Sequence, residues 1–371
     1  MKVLVTGVNG FIGRNLKLYL SERKEIVVIP FTRDDDFAEL PSLIHDVDFI
    51  FHLAGVNRPE DPIEFIMGNV DFTQALCDAI ARSGRVIPLI YASSTQATQD
   101  NSYGISKRAA EDLLLDLQSA NGNPVYVFRL PNVFGKWCRP NYNSVVATFC
   151  HSIANDLPMQ INDPTVVLTL VYVDDVVNRL IQLMDGADST PDAAGFEIVG
   201  PQYTITVGQL AQHLQAFKDS RATLLTERVG VGLERALYST YVSYLSTNLF
   251  AYSVPRHSDA RGTFVEMLKT PDCGQFSYFT AHPGVTRGGH YHHTKTEKFL
   301  IIKGKALFKL RNMNTQEAFE LVICDEDASI VETIPGWTHD ITNIGGDEML
   351  VMLWANEIFD HAYPDTYACP L

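Results

Sequence analysis

Over the first half of the chain, short apolar runs alternate with segments whose apolar residues recur every three or four positions. The runs at 2–6, 25–31, 47–53, 88–93 and 124–130 are rich in β-branched and aromatic residues, and 47–53 is almost wholly apolar. Such runs are the mark of strands covered on both faces in a parallel sheet. Between and after them, 11–20, 71–83, 103–120, 145–154, 207–217 and 232–245 carry helical periodicity. Strand and helix in alternation predict a doubly wound α/β domain over 1–245. From about residue 246 to 371 the pattern changes to short runs divided by glycine and proline: 262–268, 275–281, 298–302, 306–310, 319–323, 329–334 and 349–354. That spacing predicts an all-β antiparallel barrel or jelly roll.

Composition narrows the setting. At 371 residues, with 46% hydrophobic and 20% charged positions and no low-complexity tract, the chain is long enough for two folded domains with cores of their own. Its net charge of −15 argues against nucleic acid or an anionic membrane surface as the main partner. No apolar run approaches membrane-spanning length and the first residues read as a strand rather than a signal peptide, so a cytoplasmic location is expected. The six cysteines (Cys77, Cys138, Cys150, Cys273, Cys324, Cys369) form no C-x-x-C pair and are expected to be buried small apolar residues.

The opening strand runs into Gly7-Val-Asn9-Gly10-Phe11-Ile12-Gly13 and then a helix. Gly7 allows a tight turn, Gly10 lets backbone amides approach a pyrophosphate, Gly13 lets helix and strand pack, and the helix N-terminus attracts negative charge. This is a dinucleotide loop, with Asn9, Phe11 and Ile12 filling it out. After the second strand, Thr32-Arg33 stands where an acid favours the ribose hydroxyl of NADH and an arginine the extra phosphate of NADPH, so Arg33 points to NADPH; the alternative is a solvated Arg33 with Asp34 on the ribose of NADH. Leu53-Ala54-Gly55, small residues at the end of the third strand, leave room for adenine and ribose.

Chemistry is expected where the strand 88–93 continues into Ser94-Thr95 and the next helix opens Tyr103-Gly-Ile-Ser-Lys107. Tyrosine and lysine four apart share a helical face, so the ammonium is expected to lower the phenol's pKa and reach the nicotinamide ribose. Tyr103 is then the proton donor and Ser94 the group that polarises a substrate carbonyl. Gly7-x-x-Gly10-x-x-Gly13, Tyr103-x-x-x-Lys107, Arg129-Leu-Pro-Asn-Val-Phe-Gly135 and Val171-Tyr-Val-Asp-Asp-Val176 together resemble the extended short-chain dehydrogenase/reductases of nucleotide sugars, a Rossmann-like family. Two departures stand out. Only eight residues separate Ser94 from Tyr103, and Gln96-Ala97 replace the acid pair of the sugar dehydratases, which makes 4,6-dehydration unsuitable. The stretch 135–144 holds Lys136, Trp137 and Arg139, fit either to grip a uracil and diphosphate or to serve as a loop with a structural tryptophan.

In the C-terminal third, Gly284-x5-His290-x-His292-x4-Glu297-x6-Gly304 precedes Pro335-Gly336-x-x-His339-x3-Asn343. Alternation puts His290 and His292 on one face of a strand, and a barrel brings Glu297 and His339 to them, a set suited to zinc or another borderline divalent ion. Both stretches resemble the two cupin motifs. Asp259-Ala-Arg-Gly-Thr-Phe-Val-Glu266 and Arg287-Gly-Gly-His-Tyr291 resemble the nucleotide-sugar 3,5-epimerase branch of the cupins, which implies His290 as a base and Lys298 as an oxyanion stabiliser. One imidazole does not easily serve as ligand and base at once. We therefore take His290 as a ligand, with a base drawn from His293, Lys298 or Tyr291.

Over its whole length the chain is similar to bifunctional capsular-polysaccharide enzymes of the CapF type. That resemblance implies a UDP-2-acetamido-2,6-dideoxy-4-keto-hexose substrate, inversion at carbon 3 in the barrel and NADPH reduction of the 4-ketone. The product is then UDP-N-acetyl-6-deoxy-L-talosamine, on the route to UDP-N-acetyl-L-fucosamine for capsule or O-antigen. It also implies a homodimer, since cupin barrels often pair through their strands. The alternative is a single-function NADPH-dependent 4-reductase whose barrel only braces a dimer.

Overall fold

The computed structural model describes residues 1–259, 262–265, 267–268, 270, 274–357 and 360–371; for 256–259 and 262–265 it describes the backbone alone. In chain order, the first elements are β1 (Lys2–Thr6), α1 (Phe11–Ser21), β2 (Val27–Phe31), α2 (Leu40–Ile44), β3 (Phe49–His52), α3 (Ile63–Phe65), α4 (Phe72–Ser83), β4 (Leu89–Ser94), α5 (Ser102–Asn121) and β5 (Val125–Leu130). β6 (Asn132–Phe134), α6 (Val145–Ala154), β7 (Val167–Tyr172), α7 (Val173–Met184), β8 (Gln202–Thr206), α8 (Val207–Thr223) and α9 (Gly232–Val242) follow. Contacts divide the chain into two compact units, one of 1–134, 142–144 and 168–204, the other of 135–141, 145–167 and 205–371. The pattern changes near 245, where helices give way to strands; by contact, α6, α8 and α9 group with those strands.

In the first unit, five parallel strands pair in the order β2-β1-β3-β4-β5. All four positions of β3 are buried, which is why its sequence shows no polar alternation. The order reverses direction between β1 and β3, so their carboxyl ends open a crevice at the switch point, the usual seat of a nucleotide. α5 starts at Asn101, whose side chain accepts from the Gly104 amide at 2.8 Å, and ends at left-handed Gly122. Strand β7 and helix α7 carry the 171–176 motif.

In the second unit, β9 (Ala251–Ser253), β10 (Arg256–Asp259), β11 (Gly262–Val265), β12 (Gln275–Ala281), β13 (Thr286–Tyr291), β14 (Glu297–Lys303), β15 (Lys305–Asn312) and β16 (Ala318–Cys324) lead to the last four. These are β17 (Ser329–Glu332), β18 (Trp337–Asn343), β19 (Met349–Ala355) and β20 (Tyr367–Ala368). Ten of the strands β9 to β20 form two five-stranded antiparallel sheets, β12-β19-β14-β17-β9 and β16-β15-β18-β13-β20, while β10 and β11 pair with each other. Phe299 of the first sheet meets Phe308 and His339 of the second, at 5.8 and 6.2 Å between ring centres, so the two inner faces share one core. The apolar-run pattern missed β13 and β18 because glycine, histidine and threonine fill them. Cys77, Cys138 and Cys150 are buried as expected, whereas Cys324 and Cys369 are partly exposed and Cys273 lies outside the described residues.

Candidate active site and metal centre

The glycine loop is built by close approach. Gly7 has φ 69°, and a side chain there would stand 2.7 Å from the Ala54 backbone; one at Gly13 would meet the Gly7 carbonyl at 2.2 Å. Gly10 caps α1 without a side chain of its own, leaving the first helical amides open toward the crevice, which fits a pyrophosphate. The ends of β1 and β3 are tied by a buried relay in which Thr6 Oγ1 meets His52 Nδ1 at 2.8 Å and His52 Nε2 meets Thr73 Oγ1 at 2.9 Å. Burial drives His52 down to about 3, so its ring is neutral. Thr6 Oγ1 also accepts from the Ala54 amide, fixing the Leu53-Ala54-Gly55 segment against the glycine loop. Arg33 is exposed just past β2, while the nearby Asp35 carboxylate accepts from both the Thr32 amide and hydroxyl at 2.6 and 2.8 Å.

The Ser94 hydroxyl lies beside the Tyr103 phenol, near enough to pull its pKa down, and accepts from the Gln96 amide at 3.2 Å. The short connection between them is a 3-10 turn over Thr95–Thr98, pressed onto α5 at Gly104, where any side chain would stand 2.3 Å from the Gln96 carbonyl. Lys107 lies one turn along the same face, buried, donating to the Ala92 carbonyl at 2.8 Å with its ammonium 4.2 Å from the centre of the Tyr91 ring. Against expectation, the Tyr103 phenol is raised rather than lowered: burial outweighs the hydrogen bond from Ser94. The lysine is itself pushed down to about 7 by burial, which the charge of Glu111 only partly offsets. The reason is placement, since the ammonium lies on a carbonyl and a ring face.

Asn69 escaped the sequence pattern. Buried in the helical turn before α4, it accepts from the Val56 amide at 2.7 Å and donates to the Val56 carbonyl and to Ser106 at 3.1 and 2.9 Å. A side chain on Gly55 would stand 3.2 Å from Asn69 Oδ1 and 3.6 Å from Lys107 Nζ, so this asparagine anchors the strand end beside the lysine. A lone asparagine in a helical stretch gives no signal of that role.

In the second unit His290, His292, Glu297 and His339 converge, with one ligand atom from each lying within 4.8 Å of the others. A bulge between Gly288 and His290 shifts the register so that His290 pairs with His339 across β13 and β18. His292 Nδ1 donates to the Asp365 carbonyl at 2.6 Å, and its Nε2 stands 3.1 Å from Glu297 Oε2. His339 Nε2 is 3.2 Å from the same oxygen without a hydrogen bond. Burial, then the neighbouring imidazoles, lower His290 to about 4. Burial alone would raise Glu297, but His292 and His339 hold it well below the carboxylate range. Three imidazoles and a carboxylate around one point fit a divalent ion.

None of the three base candidates enters this cup. Lys298 follows Glu297 on β14 and so points to the opposite face, where its ammonium meets Tyr252 at 2.8 Å and Glu332 at 3.2 Å. Glu332 also accepts from Arg221 of α8 at 2.7 Å and Tyr238 of α9 at 2.6 Å, closing a buried charged cluster between helices and sheet. Tyr291 and His293 stack on Tyr367 and on each other. In the 135–144 loop, Lys136 is fully buried and the Trp137 ring packs against Gly336, which favours the structural alternative for both, while Arg139 is exposed. The side chains of Asp259, Arg261 and Glu266 lie outside the described residues.

A family described as the NAD dependent epimerase/dehydratase family matches residues 3–198, and one described as the polysaccharide biosynthesis C-terminal domain matches 257–367. The Pseudomonas aeruginosa protein UDP-2-acetamido-2,6-beta-L-arabino-hexul-4-ose reductase is 63% identical over 369 residues, covering 100% of this chain and 98% of that one. The crystal structure of the capsular polysaccharide assembling protein CapF from Staphylococcus aureus matches with a TM-score of 0.69 and 42% identity over 100% of both chains. UDP-glucuronic acid 4-epimerase from Bacillus cereus, at 19% identity and a TM-score of 0.54 over 66% of this chain and 98% of that one, shares the fold.

Proposed function

Since the chain belongs to the NAD-dependent epimerase/dehydratase family and, over its full length, to the CapF type, we propose that it makes a capsular or O-antigen sugar nucleotide in two steps. The barrel, read as a cupin, inverts carbon 3 of a UDP-2-acetamido-2,6-dideoxy-4-keto-hexose, and the Rossmann-like unit reduces the 4-ketone to give UDP-N-acetyl-6-deoxy-L-talosamine. A 4-ketone acidifies the hydrogen on carbon 3, so inversion must precede reduction. The product leads toward UDP-N-acetyl-L-fucosamine, and the enzyme works as a cytoplasmic homodimer.

NADPH supplies the hydride when bound along the glycine loop, with Arg33 on the extra phosphate. Ser94 and Tyr103 both donate hydrogen bonds to the ketone oxygen, and Tyr103 passes its proton to the oxygen as it becomes an alcohol. A phenol kept above its ordinary pKa by burial stays protonated across physiological pH, which suits a donor. Lys107 reaches the nicotinamide ribose from the same helical face. His290, His292, Glu297 and His339 hold zinc or another divalent ion, which supplies Lewis acidity toward a carbonyl oxygen. The observation that carries the reductive step is the Tyr103 phenol beside Ser94, with Lys107 one turn away on α5. Tyr103→Phe should abolish NADPH oxidation with the UDP-4-keto-sugar and leave NADPH binding intact; retention of most of the rate refutes the assignment.

Lys298, turned from the cup into a buried cluster with Glu332, and Tyr291 and His293, packed on Tyr367, support the second reading, a reductase whose barrel only braces a dimer. Solvent hydrogen exchange at carbon 3 separates the two.

A further inference from the structure

The loop that joins His292 to Glu297 is held by a residue from the far end of the chain. One Asp365 oxygen accepts from the His293 amide at 2.9 Å; the other accepts from the Thr294 and Lys295 amides at 2.9 and 2.8 Å and from the Thr294 hydroxyl at 3.0 Å. Three successive backbone donors thus converge on one carboxylate, the strong charge-assisted form of the bond. The carbonyl of the same residue takes the Nδ1 proton of His292 at 2.6 Å. A carbonyl only accepts, so this bond selects the tautomer whose Nε2 lone pair points into the cup.

We propose that Asp365 is the positioning residue of the metal cup, its carboxylate fixing the backbone between the ligands His292 and Glu297 and its carbonyl orienting the ring of the first of them, His292. The tail around it is built as a strap. β20 pairs with β13 so that His290 stands opposite Ala368 and Tyr291 opposite Tyr367, and the Cys369 amide donates to the Gly289 carbonyl at 2.7 Å. The Tyr367 ring is 5.5 Å from that of Tyr291 and 4.9 Å from that of His293. Ligands His290 and His292 are therefore both reached from the same short segment. Groups in this position commonly change metal affinity 10–100-fold when altered.

The inference rests on the barrel holding a divalent ion, and the test separates the two. Asp365 has φ 36°, a backbone that asparagine also tolerates, so Asp365→Asn alters side-chain chemistry without new strain. Its amide NH₂ must face either one or several of the amide donors. Zinc affinity of the full chain, stripped by a chelator and titrated against a competing chromophoric chelator, should fall roughly 10–100-fold in Asp365→Asn. The cobalt-loaded variant should show an altered visible spectrum, and NADPH binding should be unchanged. Asp360→Asn, which removes a carboxylate charge elsewhere in the tail, where Asp360 accepts from the Ala362 amide at 2.8 Å, should leave zinc affinity as it is. A native chain that takes up no zinc overturns both readings. Tight native binding with Asp365→Asn within about twofold, or with Asp360→Asn equally weakened, overturns the role of Asp365 alone. If Asp365→Asn also loses NADPH binding, Thr294→Val decides: it removes one donor to the carboxylate and should weaken zinc several-fold, and an unchanged constant overturns the proposal.

Discussion

Lys298→Met asks whether the lysine beside the metal cup does chemistry or holds the fold. The wild-type side chain is about 1% exposed and shares Glu332 with Arg221 and Tyr238. Breaking a buried ion pair by removing one partner costs about 3–5 kcal/mol. Here Arg221 and Tyr238 remain on Glu332, so a loss of about 2–3 kcal/mol is expected, which for a unit of this size lowers the melting temperature by about 5–10 °C. A second signature follows from titration. Glu332 is held at about 2 instead of 4.5: burial would raise it, but Lys298 and then Arg221 outweigh burial. Its carboxyl is depressed in the folded state, so its contribution is complete above pH 4.5 and is lost as pH falls toward 2. Calorimetric scans of both proteins between those limits should show a shallower acid loss in Lys298→Met. At 25 °C, where the variant is still folded, carbon-3 exchange per folded molecule should stay near the native rate. A melting temperature within about 1 °C of native, together with lost exchange, would refute the reasoning and return Lys298 to the chemistry.

Two other substitutions probe the reductive site. Lys107→Met removes an ammonium that burial depresses to about 7 from 10.5; the folded state disfavours the charged form, a penalty that is full below pH 7 and relieved as pH rises to 10.5. The variant should therefore melt higher than native at pH 6–7, by about 1–3 kcal/mol after loss of the bond to Ala92, yet turn over at least a hundredfold more slowly. Unfolding midpoints beside NADPH oxidation rates check it, and a destabilised variant contradicts it. Arg33→Asp should weaken NADPH about 10–150-fold, the worth of a charge-assisted contact, while leaving NADH within a few-fold. Equal losses for both cofactors, measured by fluorescence titration, would remove Arg33 from the phosphate site.

The parallel sheet was legible because its strands are apolar on both faces, so β1, β3 and β5 stood within two or three residues of their observed bounds. The glycine loop, the tyrosine-lysine helix and the four converging side chains of the cup were legible because their chemistry demands fixed spacing. Direction of titration was not. The spacing of Tyr103 and Lys107 gives a shared helical face, but only the fold shows Lys107 bent onto Ala92 and Tyr91 while burial raises the phenol. The outward face of Lys298 was foretold by simple alternation from Glu297, yet resemblance to an epimerase motif drew it into the cup. Asp365 and Asn69 left no trace at all, since each works through backbone groups distant in sequence, and nothing in a lone asparagine or aspartate marks such a partner.

The proposed reaction order is inversion in the barrel before reduction. The native chain should be incubated in deuterated water with the UDP-4-keto-sugar in the absence of NADPH, then with it, following carbon 3 by NMR and NADPH by absorbance. Deuterium should enter carbon 3 without NADPH, be lost in His339→Ala and persist in Tyr103→Phe, and NADPH should then be consumed one for one. Full NADPH consumption with no deuterium at carbon 3 would contradict it.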